Sequence, residues 1–98
     1  MTVLYIYGIK KDDGYYSDPD AAIDKYFYID SSDGMRYSSY RQDVVDRVKL
    51  GVAEAYTYRN GRVGAKCEVK ISPQGVEYLK TIPNGDPTDN LSSLPEFE

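Results

Sequence analysis

Apolar and polar residues alternate along most of the chain, a pattern that is typical of β-strands. Residues 3–9 are rich in β-branched and aromatic side chains and predict a first strand that is central in the sheet or covered on both faces. Residues 25–30 predict a second strand. Three more strands, which we expect to form an antiparallel meander, are predicted over residues 54–59, 62–71 and 76–82.

The clearest local signal is Asn60-Gly61, which lies between two alternating runs. Asn-Gly in such a position is typical of a two-residue type I′ hairpin, and the turn would align Tyr58 with Val63. From this register we predict a core face and a wet, mainly basic face. The core face would carry Tyr56, Tyr58, Val63, Ala65, Cys67, Val69 and Ile71. The wet face would carry Thr57, Arg59, Arg62, Lys66, Glu68 and Lys70.

One segment has the period of an amphipathic α-helix. Residues 40–50 place Tyr40, Val44 and Val48 on one stripe. Ser39 precedes the segment and, with the glutamine three residues later, matches a capping box. The sequence therefore predicts a helix that packs through this stripe.

An Asp-Pro pair marks a less regular segment after the first strand. Within residues 12–24, Asp18 is a candidate N-cap and Pro19 suits the first helical position. We predict that these residues form an insertion or loop that contains a short helical turn.

The C-terminal segment, residues 83–98, repeats this pattern with Asp86 and Pro87. It also contains Leu91 and Leu94, large apolar residues for which a disordered tail has no use. We predict that the segment docks on the domain through these leucines. The alternative is that the segment is a peptide offered to a partner.

Together these elements predict one α+β domain over residues 1–98. Its element order would be β-β-α-β-β-β, with about five strands in a small antiparallel, barrel-like sheet and one helix packed on the sheet. A chain of this size buries roughly 60–65% of its unfolded surface, so we expect one core and little spare stability.

The residue types on which most enzymes and metal sites rely are scarce. The chain has no histidine, which removes the usual general base and most zinc sites. Its only cysteine, Cys67, falls on the predicted core face and is interpreted as an inert structural thiol. The acidic clusters lack the spacing of a calcium loop, and no glycine-rich phosphate loop is present. We therefore expect no enzymatic activity, no cofactor and no metal.

Hydropathy and cysteine usage indicate a cellular compartment. No apolar run approaches the ~20 residues of a membrane span, and the N-terminal residues lack the features of a secretory signal. A single cysteine fits a reducing environment. We expect a cytoplasmic protein with no membrane partner.

Charge lies in blocks along the chain, whose net charge is −4. Residues 1–34 hold seven acidic and three basic residues, residues 35–80 hold five and nine, and residues 81–98 hold four and none. Two candidate interaction surfaces follow from this distribution. The first is an acidic patch of Asp12, Asp13, Asp18, Asp20, Asp24, Asp30 and Asp33. The second is a basic face of Arg59, Arg62, Lys66 and Lys70.

The last twenty-one residues contain a pattern that extends beyond ordinary turn chemistry. Its members are Tyr78, Leu79, Thr81, Asp89, Asn90, Leu91, Leu94 and Pro95. The pattern resembles the C-terminal signature, YL(R/K)T…DNL…LP, of a small bacterial and phage family of domains of unknown function. The resemblance covers roughly residues 37–97, and residues 12–24 look like an insertion relative to it. It implies a small compact domain whose tail belongs to the fold, and no activity.

Eleven tyrosines, against two phenylalanines and no tryptophan, are the most unusual feature of the composition. Tyrosine suits half-buried sheet surfaces and contact faces. We therefore predict a non-enzymatic module that binds another protein, with a homodimer also open. One alternative is an inhibitor from a mobile element, whose acidic patch would mimic nucleic acid on a host enzyme.

A second alternative is direct binding of nucleic acid through the basic face. Sheets that carry aromatic and basic residues bind single strands by stacking and charge attraction. This alternative is favoured less, because the predicted register turns Tyr56 and Tyr58 away from the basic residues and because the chain is acidic.

Overall fold

The computed structural model describes residues 1–12, 14 and 18–97, which form a six-stranded sheet with one α-helix against one of its faces. The strands are β1 (Thr2–Lys11), β2 (Ile23–Asp30), β3 (Arg36–Tyr40), β4 (Ala53–Arg59), β5 (Arg62–Ile71) and β6 (Glu77–Thr81). The helix is α1 (Arg41–Lys49), and three short 3₁₀ turns cover Pro19–Ala22, Pro87–Asp89 and Leu91–Ser93.

The strands lie in the order β3-β2-β1-β4-β5-β6, which leaves β3 and β6 at the two edges. β1 is antiparallel to β2 but parallel to β4. The other neighbouring pairs are antiparallel. The α+β class is confirmed, but the sheet is mixed, open and six-stranded, whereas we predicted an antiparallel, barrel-like sheet of about five strands. The parallel pair arises because the chain crosses from the β3 edge through α1 before it returns as β4.

The strand that the sequence analysis missed is β3. Its residues are almost all exposed, so it has no apolar alternation by which to recognise it. The predicted capping box does not form, because Tyr40 is the N-cap of α1 and makes no side-chain cap. The hydroxyl of Ser39 instead lies 2.8 Å from that of Tyr28 on the neighbouring strand. Tyr40 therefore belongs to the sheet edge, while Val44 of the predicted stripe is buried.

A bulge reverses the predicted faces of the β4–β5 hairpin. Tyr58 does pair with Val63, and Asn60 has the positive φ that the turn requires. Further from the turn, however, Tyr56 pairs with Lys66, so β5 contains one additional residue. Because side chains alternate with a period of two, this residue moves the tyrosines to the other face of the sheet.

Thr57 and Gly64 explain why the bulge forms at this point. Thr57 is 1% exposed on the core side, and its hydroxyl accepts a 2.9 Å hydrogen bond from the amide of Ala65. A methyl group on Gly64 would overlap that hydroxyl and would lie 2.9 Å from the carboxyl group of Asp89. The bulge therefore depends on a small residue at position 64.

The hydrophobic core lies between one face of the sheet, α1 and the C-terminal segment. We call this face of the sheet the covered face. The buried residues of the core are Leu4, Ile6, Ile9, Ile23, Tyr26, Tyr28, Val44, Val45, Ala53, Ala55, Cys67, Leu79, Leu91 and Leu94. No buried side-chain polar atom in the described part of the chain lacks a hydrogen-bond partner.

The predicted helical turn after β1 is a 3₁₀ turn. The carboxylate of Asp18 accepts a hydrogen bond from the amide of Asp20, and Pro19 begins the turn, as predicted. Residues 13 and 15–17 of the predicted insertion lie outside the described residues.

The C-terminal segment is held to the covered face by two leucines. Leu91 is 0% and Leu94 is 3% exposed, and both belong to the core. The amide of Leu91 donates to the hydroxyl of Thr81, and Arg59 donates to the carbonyl of Ser93. Burial of two leucines contributes about 3–6 kcal/mol before conformational entropy is subtracted.

Candidate functional site

The face of the sheet opposite the core is the candidate site, and we call it the open face. Neither α1 nor the two leucines of the C-terminal segment lie on it. Strand register assigns to it Val3, Tyr5, Tyr7, Lys10, Lys25, Phe27, Ile29, Arg36, Ser38, Tyr40, Glu54, Tyr56, Tyr58, Val63, Lys66, Glu68, Lys70, Tyr78 and Lys80. Aromatic and basic side chains therefore dominate this surface.

Three aromatic rings form a cluster on this face. The ring centroid of Phe97 lies 5.1 Å from that of Phe27 and 6.0 Å from that of Tyr7, in edge-to-face arrangements. Gly8 lies beneath Phe97, since a methyl group at this position would overlap the phenylalanine ring. Such pairs hold rings in fixed positions before any partner arrives.

Two tyrosines form a second aromatic contact nearer the centre of the sheet. The rings of Tyr5 and Tyr58 have centroids 5.7 Å apart. Parallel pairing of β1 with β4 sets Tyr5 opposite Tyr56, which brings the tyrosines of both strands together. The parallel pair and the bulge are therefore both needed to build this surface.

Cations lie over several of these rings. The guanidinium of Arg36 is 5.0 Å from the ring centre of Tyr7. The ammonium of Lys25 is 5.6 Å from the ring centre of Phe27 and 5.3 Å from that of Tyr40. Each such contact contributes about 0.5–1 kcal/mol at an exposed site.

The open face has a positive charge balance, although the chain as a whole is acidic. Among the described strand residues its basic members are Lys10, Lys25, Arg36, Lys66, Lys70 and Lys80, of which Lys80 pairs with Asp18, and its acidic members are Glu54 and Glu68. Both acidic residues form ion pairs on this face, Glu54 with Lys66 at 3.7 Å and Glu68 with Lys70 at 3.1 Å. The positive charge that remains lies on the β1–β2–β3 side, beside the aromatic cluster.

A shallow depression of about 310 Å³ lies where the open face meets the hairpin turn. Tyr7 and Tyr58 supply aromatic walls, and Arg36 and Arg59 supply cations. The depression thus combines flat apolar surface with positive charge, which suits a partner that is both apolar and acidic.

The predicted acidic patch is distributed over the two ends of β2. At one end, the carboxylate of Asp18 accepts hydrogen bonds from Lys80 at 2.7 Å and from the hydroxyl of Tyr78 at 3.2 Å. Burial acts to raise the pKa of Asp18, but the hydrogen bonds from Lys80 and from the Asp20 amide lower it below its usual value. Asp20 is buried, and burial together with the charge of Asp18 raises its pKa.

At the other end of β2, Asp30 and Asp33 lie in the turn towards β3. Asp30 accepts hydrogen bonds from Ser32 and pairs with Arg47 at 3.4 Å, and the bonds from Ser32 hold its pKa below the usual value. Asp33 accepts a hydrogen bond from the hydroxyl of Tyr37. Residues 24 and 30 are about 20 Å apart along a strand, so these carboxylates do not adjoin those at the other end.

The remaining members of the predicted acidic patch lie near the start of β2. Asp24 is half-buried in β2, and Asp12 accepts a hydrogen bond from the amide of Gly14. Asp13 lies outside the described residues. The structure therefore uses several of the predicted acidic residues for local hydrogen bonding.

The predicted basic face is divided between the two faces of the sheet. Lys66 and Lys70 lie on the open face, with Tyr56. Arg59 and Arg62 point to the covered side, where Arg62 lies 3.8 Å from the carboxylates of both Asp86 and Asp89. The bulge between the two pairs accounts for this division.

The residues of the C-terminal signature hold the tail to the body. Tyr78 donates to Asp18, Thr81 accepts from the amide of Leu91, and Asp89 accepts from Asn84 at 2.8 Å. Leu79 is buried in the core, Asn90 precedes the last 3₁₀ turn, and Pro95 accepts a hydrogen bond from Ile9. These contacts give the signature residues a structural role.

The sequence analysis missed the open face as a site. The alternation of tyrosines at positions 5 and 7 and at positions 56 and 58 was a usable signal. The face to which they point depends on the bulge and on the parallel pairing, and neither leaves a local pattern. Phe97 is far in sequence from the residues that it contacts on this face. No pattern in the sequence therefore predicts its position in the cluster.

The described residues contain no group of three His, Cys, Asp or Glu side chains that could hold a metal ion. Cys67 is buried, and desolvation together with the charge of Asp20 raises the pKa of its thiol far above the usual value. None of the helices in this part of the chain is long and apolar enough to cross a membrane.

Comparison with models of known families gives a match over most of the chain. The family described as Protein of unknown function (DUF3892) matches residues 5–95. No curated protein matches the chain, and no solved structure matches it. The predicted resemblance to a family of unknown function is confirmed to this extent, while a bacterial or phage origin and the terminal signature stay predictions. With almost its whole length matched, the chain belongs to the DUF3892 family of proteins of unknown function.

Proposed function

We propose that this protein is a non-enzymatic binding module that docks a partner protein on its open face. The observation that carries the proposal is the combination of preset aromatic rings and cations on one uncovered sheet face. Tyrosine and arginine are the residues most enriched at the energetic centres of protein interfaces. The open face supplies tyrosines on β1 and β4 and one arginine, Arg36, on the edge strand β3.

The packing of the rings favours tight docking. A cation lies over Phe27 and another over Tyr7, and Tyr5 contacts Tyr58, so few rotamers of these side chains remain to be fixed when a partner binds. Less ordering lowers the entropic cost of association. A half-buried, preorganised aromatic surface therefore binds more strongly than an equal area of mobile side chains.

The charge balance identifies the chemistry of the partner. The positive charge on this face attracts a local acidic segment, although the chain as a whole carries a net charge of −4. We therefore expect an acidic protein segment that also carries apolar side chains. The β1–β2–β3 side would attract its carboxylates, because Lys25 and Arg36 lie over aromatic rings there and form no ion pair with another described residue.

A second candidate function is the binding of single-stranded nucleic acid. The reason for favouring it less was that the tyrosines point away from the basic residues, and the bulge removes that reason for Tyr56, Tyr58 and Lys66. Bases stack readily on such rings. Against this candidate, Lys66 and Lys70 already pair with glutamates, which would have to be displaced by phosphates.

Mimicry of nucleic acid by the acidic patch receives less support. That role needs a continuous row of carboxylates, and the two groups of carboxylates lie at opposite ends of β2. Asp20 is also buried, and Asp18 and Asp30 are engaged in ion pairs. The proposal keeps the expected cytoplasmic location, where a single free thiol is stable.

Photo-crosslinking in the native cell tests the proposal. Benzoylphenylalanine would replace Tyr56 on the open face and, as a matched control, Gln74 in an exposed turn. We expect one acidic protein to be captured from position 56 and not from position 74. Combining the probe with Arg36→Glu and Lys25→Glu should weaken capture about tenfold, the effect of a loss of 1.4 kcal/mol. Equal capture from both positions, or capture that ignores charge reversal, would refute the proposal.

An NMR titration with a 15-residue oligothymidine separates the two candidate functions. Under the protein-binding proposal, the amides of Tyr56, Tyr58 and Lys66 do not shift at physiological salt. Shifts confined to these residues, with an affinity that falls steeply as salt rises, would replace the protein partner with nucleic acid.

A further inference from the structure

The last described residues run beside β1 as an additional short strand. The amide of Ile9 donates to the carbonyl of Pro95 at 3.0 Å, and the amide of Phe97 donates to the carbonyl of Ile9 at 2.8 Å. The direction is parallel to β1, with Glu96 opposite Ile9. β4 pairs with β1 only as far as Ile6, so the edge of β1 beyond this point is available to the tail.

A notch in the sheet receives the aromatic side chain of this strand. Gly8 has no side chain, and the ring of Phe97 fills the space where a Cβ would lie. Tyr7 and Phe27 contact the ring from two sides. Together these residues form a binding position for one aromatic side chain, next to the backbone donor and acceptor of Ile9.

Leu94 and Phe97 are anchored very differently, although only three residues separate them. Leu94 is 3% exposed within the core, whereas Phe97 is 41% exposed on the open face. Residues 95–97 are held by two backbone hydrogen bonds and one half-exposed ring. These residues can therefore leave β1 while Leu94 stays in place.

We propose that the strand position beside Ile9 is a peptide-binding slot and that residues 95–97 are its intramolecular ligand. An extended segment of a partner protein would displace them, pair with Ile9 and place an aromatic side chain on Gly8. The occupant is inferred from the tail itself, which shows the ligand chemistry: an extended backbone with an aromatic residue two positions after a proline. This is recognition by strand addition.

The proposal deepens the proposed function, and it rests on that function for the partner being a protein. The slot borders the open face, so the same partner can contact both. A tail tethered this closely has an effective concentration of roughly millimolar, which excludes weak or unspecific segments. It also pairs an otherwise free strand edge, which limits aggregation.

Hydrogen exchange on the intact protein gives the first test. The amides of Ile9 and Phe97 should exchange much faster than that of Leu94, and their exchange should be insensitive to low concentrations of urea. Exchange of all three amides through global unfolding would overturn the proposal, because the tail would then never leave the slot while the protein is folded.

A peptide titration gives the second test. A chain that ends at Leu94, with its fold checked by circular dichroism, would be titrated with acetyl-Pro-Glu-Phe-Glu-amide and observed at the amides of Gly8 and Ile9. We expect saturable shifts. Binding should be about tenfold weaker to the full-length protein, where the tail competes, and lost when alanine replaces the phenylalanine of the peptide.

Two controls keep the result specific. Gly8→Ala in the shortened chain fills the notch and should abolish peptide binding. If the amides of the shortened chain show no shifts, or if the alanine peptide binds equally well, the peptide-binding slot is refuted. Crosslinking at Tyr56 would still decide the proposed function. A dimer of the full-length protein in native mass spectrometry, lost on truncation at Leu94, would overturn the protein partner in favour of tail exchange between two copies.

Discussion

The two faces of the sheet are built from the same strands, yet they differ in almost every physical respect. The covered face buries Leu4, Ile6 and Tyr26 completely against α1 and the C-terminal segment. The open face carries rings that are half-buried and cations that lie over them. Because side chains alternate along a strand, neighbouring residues lie on opposite faces of the sheet. The covered face stabilises the fold, and the open face remains uncovered.

Their polar groups differ in the same way. On the covered face, Thr57 and Thr81 accept hydrogen bonds from backbone amides, and the hydroxyl of Tyr26 accepts one from the amide of Leu79 at 3.4 Å. These bonds fix register and the tail. On the open face, ion pairs such as that of Lys66 with Glu54 are solvent-exposed and exchange partners easily. Substitutions should therefore have effects on stability that depend on the face.

Deletion of residues 86–98 should have the largest effect. It removes Leu91 and Leu94 from the covered face, and the loss of two buried leucines should lower the free energy of unfolding by about 3–6 kcal/mol. Urea unfolding followed by circular dichroism measures the change. The matched control is deletion of residues 95–98, which spares both leucines and should cost much less. Equal losses from the two deletions would mean that the leucines do not anchor the segment.

Gly64→Ala should have the next largest effect, because it disturbs the bulge that determines which side chains of the β4–β5 hairpin lie on which face. The new methyl group would overlap the hydroxyl of Thr57 and crowd Asp89. Overpacking of this kind costs about 1–3 kcal/mol, measurable as a lower urea midpoint. The exposed neighbour Lys66→Ala should stay within about 0.5 kcal/mol of the wild type. A neutral Gly64→Ala would show that the bulge does not need a small residue.

Asp18→Asn should have a smaller, pH-dependent effect. Asparagine still caps the 3₁₀ turn but loses the ion pair with Lys80, which is partly exposed, so we expect a loss of about 0.2–1 kcal/mol at pH 7. Because the folded-state pKa of Asp18 lies below 3.8, the contribution is present above that value and is lost as pH falls through the folded-state pKa.

Thermal melts at pH 7 and pH 3 check the sign. The wild type and Asp18→Asn should differ at pH 7, and the difference should narrow at pH 3. Asp20 acts in the opposite direction, since its raised pKa makes protonation favour the folded state. The charge of Asp18 contributes to that shift, so Asp18→Asn also reduces the opposing contribution of Asp20. A gap that widens as the pH falls would contradict the assigned role of Asp18.

Arg36→Ala should have an effect on stability as small as that of Asp18→Asn, and it tests the open face directly. The change removes one cation–π contact with Tyr7 and should cost about 0.5–1 kcal/mol, with no change in the cooperativity of unfolding. Partner capture from position 56 should nevertheless fall. A large loss of stability would place Arg36 among the residues that hold the fold and would weaken the contrast between the faces.

Elements governed by local chemistry could be predicted from the sequence. The Asn60-Gly61 turn, the cap at Asp18 and the buried position of Val44 each follow from residues within one turn of chain. Backbone preferences and short-range hydrogen bonds decide such features, and both are visible in a single sequence.

Features that depend on distant partners could not be predicted. β3 is polar and forms only because β2 offers it a hydrogen-bonding edge. The bulge at Gly64 depends on Thr57 and Asp89, which are distant in sequence. The position of the Phe97 ring depends on Gly8, at the other end of the chain. The candidate site was missed for this reason, because it is assembled from such long-range choices.

The parallel pairing of β1 with β4 also has a consequence for the order of folding. Thr2 pairs with Ala53, which is far from it in sequence. Contacts of such high sequence separation have to form at a late stage of folding. During synthesis, β1, β2 and β3 emerge first and leave one edge of β1 without a partner. We expect refolding to be limited by the joining of these strands to the β4–β5–β6 meander. Stopped-flow experiments would show this as a folding rate that Ala55→Gly lowers and Arg36→Ala does not.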